Sequence, residues 1–250
     1  MNSIWINAPA KINIGLDVLR RREDGYHEVK MIMQSIRLFD RLTLTKSDKP
    51  GIRLTTNLRF LPVNEDNLVY RSAKLLMDEY KLEGGLDIQL DKRIPVAAGM
   101  AGGSTDAASC MLALNDLYEL GLSKRQLMKR GVRLGADIPY CILKGTALSE
   151  GIGEKISTIP KMPDCYVLIC KPGIHVSTGF VYTNLVLDEN TPHPDIDYMI
   201  TCMKKKDLKT LCQNLGNVLE TVTIPAHPEI AKIKETMMQE GALGSLMSGR

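Results

Sequence analysis

The chain has 250 residues, 44% hydrophobic and 24% charged, enough to bury one large core or two smaller ones, which excludes a disordered or fibrous chain. Its formal net charge of +3 makes no electrostatic case for a nucleic acid or a membrane surface. Six cysteines without a C-x-x-C pair and four scattered histidines argue against a zinc site, and no run approaches the roughly 18 apolar residues of a membrane span, so a reducing cytoplasm is the expected compartment.

Ile4 and Ile6, then Ile12, Ile14, Leu16 and Val18, alternate with other residues and predict a strand, a break at Ala8-Pro9-Ala10, and a second strand. Lys11 falls just after that break. Asp24-Gly25 marks a tight turn, followed by Tyr26-His27 and a strand from Val29 to Ile36. Leu42 and Leu44, and then Ile52 and Leu54, predict two more strands on either side of Lys49-Pro50-Gly51, so the N-terminal half reads as an antiparallel or mixed sheet. Asn64, Asp66 or Asn67 can cap a helix that ends at Gly84-Gly85.

Leu86, Ile88 and Leu90 alternate with polar residues as a half-buried strand does, and the stretch Ile94 to Ser109 follows. It holds Gly99, Gly102 and Gly103 beside Ser104 and Thr105, with Ser104 placed to cap a helix that runs toward Gly121. A glycine-rich turn lets several backbone N–H groups converge, and a helix start adds its dipole, so phosphate is the natural occupant. No Lys precedes Ser104 or Thr105, and the G-x-G-x-x-G spacing is missing, which sets the loop apart from Walker and dinucleotide motifs.

Ser123 predicts another capped helix that ends at Gly135. Beyond it, Gly135-Ala136-Asp137-Ile138-Pro139 holds a carboxylate between a helix end and a proline. Cys110 and Cys141 read as core residues. Cys141 to Leu143, Ala147 to Ser149 and the apolar run Tyr166 to Ile169 read as strands, the last of them central. Ser177 can cap a helix with Phe180, Val181 and Tyr182, helices are expected near 196–220 and 228–240, and a second glycine-rich stretch begins at Gly241.

Taken together, Pro9-Ala10-Lys11, the loop Pro95 to Ser109, Gly135 to Pro139 and the terminal glycine-rich stretch resemble the GHMP kinase superfamily. The segments PAKINIGLDV, DGYHEV, EDNL, DKRIP, GADIPY and EGIGE, in order along the chain, narrow the likeness to members of the non-mevalonate isoprenoid pathway. The resemblance implies an α+β, two-lobed GHMP kinase fold with the active site in the cleft between lobes. Residues 1–158 would form an ATP-binding lobe like the second domain of ribosomal protein S5, and 159–250 a C-terminal GHMP lobe, truncated at the third motif.

It further implies transfer of the γ-phosphoryl of ATP to the 2-hydroxyl of 4-diphosphocytidyl-2-C-methyl-D-erythritol, with Mg²⁺ held by ligands the sequence does not identify. Lys11 and Asp137 are then the catalytic pair. Pro95, Val96, Ala97, Ala98, Gly99, Met100, Ala101, Gly102, Gly103, Ser104 and Thr105 hold the ATP phosphates, while Asn67 and Lys92 lie toward the nucleotide. Asn13, Tyr26, His27 and Tyr182 contact the substrate. No nucleic acid or membrane partner is implied, and the protein is a monomer or homodimer. Met100-Ala101 and Thr105-Asp106 depart from the Leu-Gly and Ser-Asn or Ser-Ala of many relatives. Alternative readings are a GHMP kinase acting on mevalonate-type, homoserine or sugar substrates, and a non-catalytic nucleotide- or RNA-binding module.

Overall fold

A computed structural model describes residues 1–249. Its contacts divide the chain into two units: the first comprises Met1–Lys11, Ile36–Val96 and Met100–Lys144, the second Ile12–Ser35, Ala97–Gly99 and Gly145 onward. Both units draw on the same two long strands, β1 (Ser3–Arg21) and β2 (His27–Ser47). The lobe boundary at 158, drawn from the resemblance, is a division of another kind from these contact-defined units.

In the first unit β2 is followed by β3 (Gly51–Thr56), α1 (Leu68–Tyr80), β4 (Gly85–Asp91), α2 (Gly102–Leu117), α3 (Lys124–Gly131) and α4 (Ile138–Leu143). The strand order is β3-β4-β2-β1. β4 runs antiparallel to β2, with Leu42 opposite Leu90 and Leu44 opposite Ile88, and parallel to β3, so the sheet is mixed. Alternation puts Leu42, Leu44, Leu86, Ile88 and Leu90 on one buried face. α1 packs on α2, α2 on α4, and α4 on α3. The Asn67 side chain caps α1 by accepting from the Val69 N–H at 2.9 Å, and α1 ends at Lys81 in the left-handed region, ahead of the expected glycines.

The second unit adds β5 (Thr146–Gly151), β6 (Lys155–Thr158), α5 (Thr178–Asn184), α6 (Ile196–Lys205), α7 (Leu208–Gln213), β7 (Gly216–Asn217), α8 (Glu220–Ala226) and α9 (Glu229–Gln239). Residues Val29–Gln34 of β2 pair antiparallel with β5, and Gly15 and Leu16 of β1 pair parallel with β7. Gly15 leaves room for α6 there: a Cβ would stand 2.8 Å from Ile196 Cδ1 and 2.9 Å from Met199 Sδ, so those side-chain ends would have to shift.

Several expectations are corrected. β1 runs unbroken through Pro9, whose fixed φ suits a strand and whose carbonyl is taken by the Thr105 hydroxyl at 2.8 Å. The predicted strands 29–36 and 42–44 are one strand, and the predicted helix 196–220 is interrupted after Lys205. Cys141 to Leu143 belongs to α4, a helix that starts with Asp137 at its N-cap and Pro139 in its first turn. Tyr166 to Ile169 forms neither strand nor helix. Tyr166 and Leu168 are exposed, because an apolar run becomes a strand only where an edge offers it hydrogen bonds. Among the described residues no helix is long and apolar enough to cross a membrane.

Candidate active site

α2 starts without a cap. Its N-cap residue is Ala101 in the left-handed region at φ 54°, and no side chain bonds the first turn. The expected cap, Ser104, lies inside the helix, which begins at Gly102. The first intrahelical bond is Thr105 N–H to the Ala101 carbonyl at 2.8 Å, so among the described residues the N–H groups of Gly102, Gly103 and Ser104 find no acceptor. Unspent donors at the positive end of the helix dipole favour an anion. Ala97 shares the left-handed conformation at φ 53°, and in a non-glycine residue that costs about 1–2 kcal/mol. Strain of this kind collects at functional loops.

A buried charge cluster underlies this end of the helix. Lys92 Nζ donates to Asp40 Oδ2 and, at 2.7 Å, to Asp106 Oδ2, with all three side chains nearly inaccessible. Asp40 Oδ1 also accepts from the backbone N–H groups of Arg93 at 2.5 Å and Ile94 at 2.8 Å, which ties the start of the loop to β2. One cation faces two carboxylates. Burial pushes the Asp106 carboxyl up to about 8; Lys92 opposes the rise and Asp40 reinforces it. Burial works against the charge on Lys92, but the two carboxylates outweigh it and raise its pKa. Asp106 Oδ1 is buried without a partner, which accords with a protonated carboxyl. Gly102 is small for this cluster, since a Cβ there would lie 3.2 Å from Lys92 Nζ.

Lys11 is 1% exposed on β1. Its N–H donates to the Met100 carbonyl at 3.1 Å, and with the Thr105 to Pro9 bond this stitches the strand that carries Lys11 to the end of the loop. Asp137 stands at the N-cap position of α4 and is partly accessible. The charges of Asp137 and Lys11 both act on the Cys141 thiol, one raising and one lowering its pKa, although burial is the main reason the thiol is pushed far above its ordinary value. Thr105 and Asp106 of α2 act on the same thiol. The first unit therefore gathers an amine, a carboxylate and an uncapped helix start around one buried residue.

Two residues expected near the nucleotide are engaged locally. The Asn67 side chain accepts from Val69 and donates to the Pro62 carbonyl at 2.8 Å. The Lys92 backbone is bonded through both its N–H and its carbonyl to the Asn57 side chain.

In the second unit, His27 and Tyr182 place their ring centroids 5.0 Å apart with planes tilted by 40°, while Tyr26, next to His27 in sequence, is exposed. Burial, with Arg21 assisting, lowers the His27 pKa, which favours the neutral imidazole. Asn13 is buried and bonded to Ser248: its N–H donates to Ser248 Oγ at 2.9 Å and its side-chain amide to the Ser248 carbonyl at 2.8 Å.

Sequence reasoning missed Asp40 and Asp106. Asp40 left a signal, because it shares the period-two face of Leu42 and Leu44 and is therefore a carboxylate turned into a core.

Residues 67–145 match the GHMP kinases N terminal domain, and residues 199–250 match the GHMP kinases C terminal domain. The chain is 54% identical over 249 residues to the 4-diphosphocytidyl-2-C-methyl-D-erythritol kinase of Lachnoclostridium phytofermentans, covering 100% of this chain and 86% of that protein. It is 52% identical, with the same coverage, to the enzyme of that name from Lachnospira eligens. Among solved structures, a 4-(cytidine 5'-diphospho)-2C-methyl-D-erythritol kinase superimposes with a TM-score of 0.82 at 31% identity, covering 98% of this chain and 87% of the other. Homoserine kinase from Cytophaga hutchinsonii shares the fold, with a TM-score of 0.75 at 18% identity, 100% of this chain and 83% of the other.

Proposed function

This chain belongs to the GHMP kinase family, and from that membership we propose that it phosphorylates the 2-hydroxyl of 4-diphosphocytidyl-2-C-methyl-D-erythritol with ATP, in non-mevalonate isoprenoid synthesis. Residues 1–158 make the ATP-binding lobe and 159–250 the GHMP lobe of a cytoplasmic monomer or homodimer. The observation that carries the reading is the uncapped start of α2, its end of the loop bonded to the strand that bears Lys11. The names of the close relatives support the choice of acceptor.

The amides of the loop and of Gly102, Gly103 and Ser104 hold the triphosphate. Phosphoryl transfer then asks chiefly for alignment and neutralised charge. Asp137 accepts the proton of the acceptor hydroxyl as its oxygen attacks the γ-phosphorus, and Lys11 orients that hydroxyl and offsets charge on the transferring group. A Mg²⁺ ion accompanying the nucleotide would find its nearest protein hydroxyls at the start of α2, those of Ser104 and Thr105. When bound, that ion supplies further positive charge to the triphosphate. Tyr26, His27 and Tyr182 take the cytosine by stacking and edge hydrogen bonds, with a neutral His27 able to donate from one ring nitrogen and accept at the other. Asn13 completes the substrate side.

ATP turnover with a panel of alcohols tests the reading. The cytidine-diphosphate alcohol is expected to be phosphorylated at least a hundredfold more efficiently than mevalonate, homoserine or galactose, a ratio that stacking and hydrogen-bond readout can reach. Equal turnover of any of these would remove the assignment of the acceptor.

A further inference from the structure

The second glycine-rich stretch is held in place by side chains that no motif pointed to. Asn217 accepts from the Leu219 N–H at 3.0 Å, which fixes the face its amide nitrogen presents. That nitrogen donates to two carbonyls, Met247 at 2.7 Å and Gly249 at 3.0 Å. Glu220 Oε1 accepts from the Met247 N–H at 2.7 Å, while its other oxygen is paired with Lys234 at 2.5 Å. Asn13 takes the remaining carbonyl, that of Ser248.

Asn217 is itself buried. It ends β7, registered on Leu16 of β1, and the next residues, Val218 and Leu219, are fully buried. Met247–Gly249 are thus bonded to a buried, strand-registered base, and a Cβ on Gly249 would lie 4.0 Å from the Cα of Gly99 in the phosphate loop.

We propose that Asn217 and Glu220 are positioning residues for the nucleotide: they hold Met247–Gly249 against Gly99 and so set the shape of the phosphate loop on that side. The inference rests on the ATP-using reading above. A loop that grips phosphate through main-chain donors depends on sub-ångström placement, so loosening its neighbour weakens ATP before it unfolds the protein.

The test is titration with a non-hydrolysable ATP analogue, alongside thermal melting and hydrogen exchange at the Met247 amide. Asn217→Asp, which turns acceptors toward two carbonyl oxygens, and Glu220→Ala, which frees the Met247 N–H, are each expected to weaken the analogue roughly tenfold. Glu220→Ala also speeds exchange at Met247. Glu220→Gln keeps the acceptor for Met247, and Lys234→Met removes only the ion pair, so both stay within about twofold of wild type.

Wild-type affinity in Asn217→Asp and Glu220→Ala overturns the proposal. So does a loss in Glu220→Gln or Lys234→Met as large as in Glu220→Ala, since the joint between α8 and α9 would then be what matters. If Asn217→Asp does not fold, the Glu220 series decides alone. Failure of the wild type to bind the analogue would instead remove the kinase reading itself.

Discussion

The starts of α2 and α3, both in the first unit, treat their first-turn amides in opposite ways. At α3, Ser123 and Gln126 form a reciprocal capping box, the serine accepting from the Gln126 N–H and the glutamine from that of Ser123. At α2 the cap position is a left-handed alanine, no side chain helps, and a buried lysine lies beneath. α3 satisfies itself for stability, whereas α2 leaves donors for something else to satisfy. An uncapped start on a long, otherwise buried helix forgoes about 1 kcal/mol, which makes it evidence for a ligand.

The largest expected effect concerns the groups beside the uncapped start. Asp137→Asn and Lys11→Ala should each lower kcat by two or more orders of magnitude while an ATP analogue still binds, measured by single-turnover kinetics and calorimetry. Full turnover by Asp137→Asn would leave α2 a mere anion site.

Next is the charge cluster under α2. The Asp106 carboxyl titrates near 8 in the folded protein because burial outweighs Lys92, but near 3.9 when unfolded. The folded state then binds more protons at this carboxyl between these values, so the contribution of Asp106 to stability declines as pH rises from about 4 to 8. Asp106→Asn removes that slope. Its Tm should pull ahead of wild type across this window and keep a constant lead above it, each unit of raised pKa being worth about 1.4 kcal/mol. A Tm difference independent of pH would show that Asp106 is ionised in the fold.

Smaller effects sharpen the contrast between the two helix starts. Ser123→Ala should cost about 1 kcal/mol in denaturant unfolding and leave kcat unchanged, because that cap serves only its own helix. Ala101→Gly should relieve the left-handed strain and stabilise by up to about 1 kcal/mol, since part of the relief is lost to the freer unfolded chain. A destabilised Ala101→Gly protein would mean that the alanine methyl packs usefully.

The same contrast marks how far the sequence could be read. Local chemistry was legible: Asn67 and Ser123 as caps, the alternation of Leu86, Ile88 and Leu90, and a strand-to-helix turn rich in glycine. What needed three dimensions was not. Pro9 lies within a strand, and its carbonyl is taken by Thr105, far along the chain. Asp40 and Asp106 meet over Lys92 from separate elements, and a lone carboxylate in a sequence carries no sign of its partner. Tyr166 to Ile169 shows the reverse failure, since apolar content alone could not say whether a pairing edge was available. Asn217 and Glu220 act on residues some thirty positions later, beyond any local pattern.

The most direct measurement is amide hydrogen exchange with and without a non-hydrolysable ATP analogue, resolved to single residues at both helix starts. Slowed exchange at Gly102, Gly103 and Ser104 is expected on binding, with no change at Lys124, Arg125 and Gln126. Unchanged exchange at 102–104 in the saturated protein would contradict this, because the donors left open at α2 would then not be what holds the phosphates.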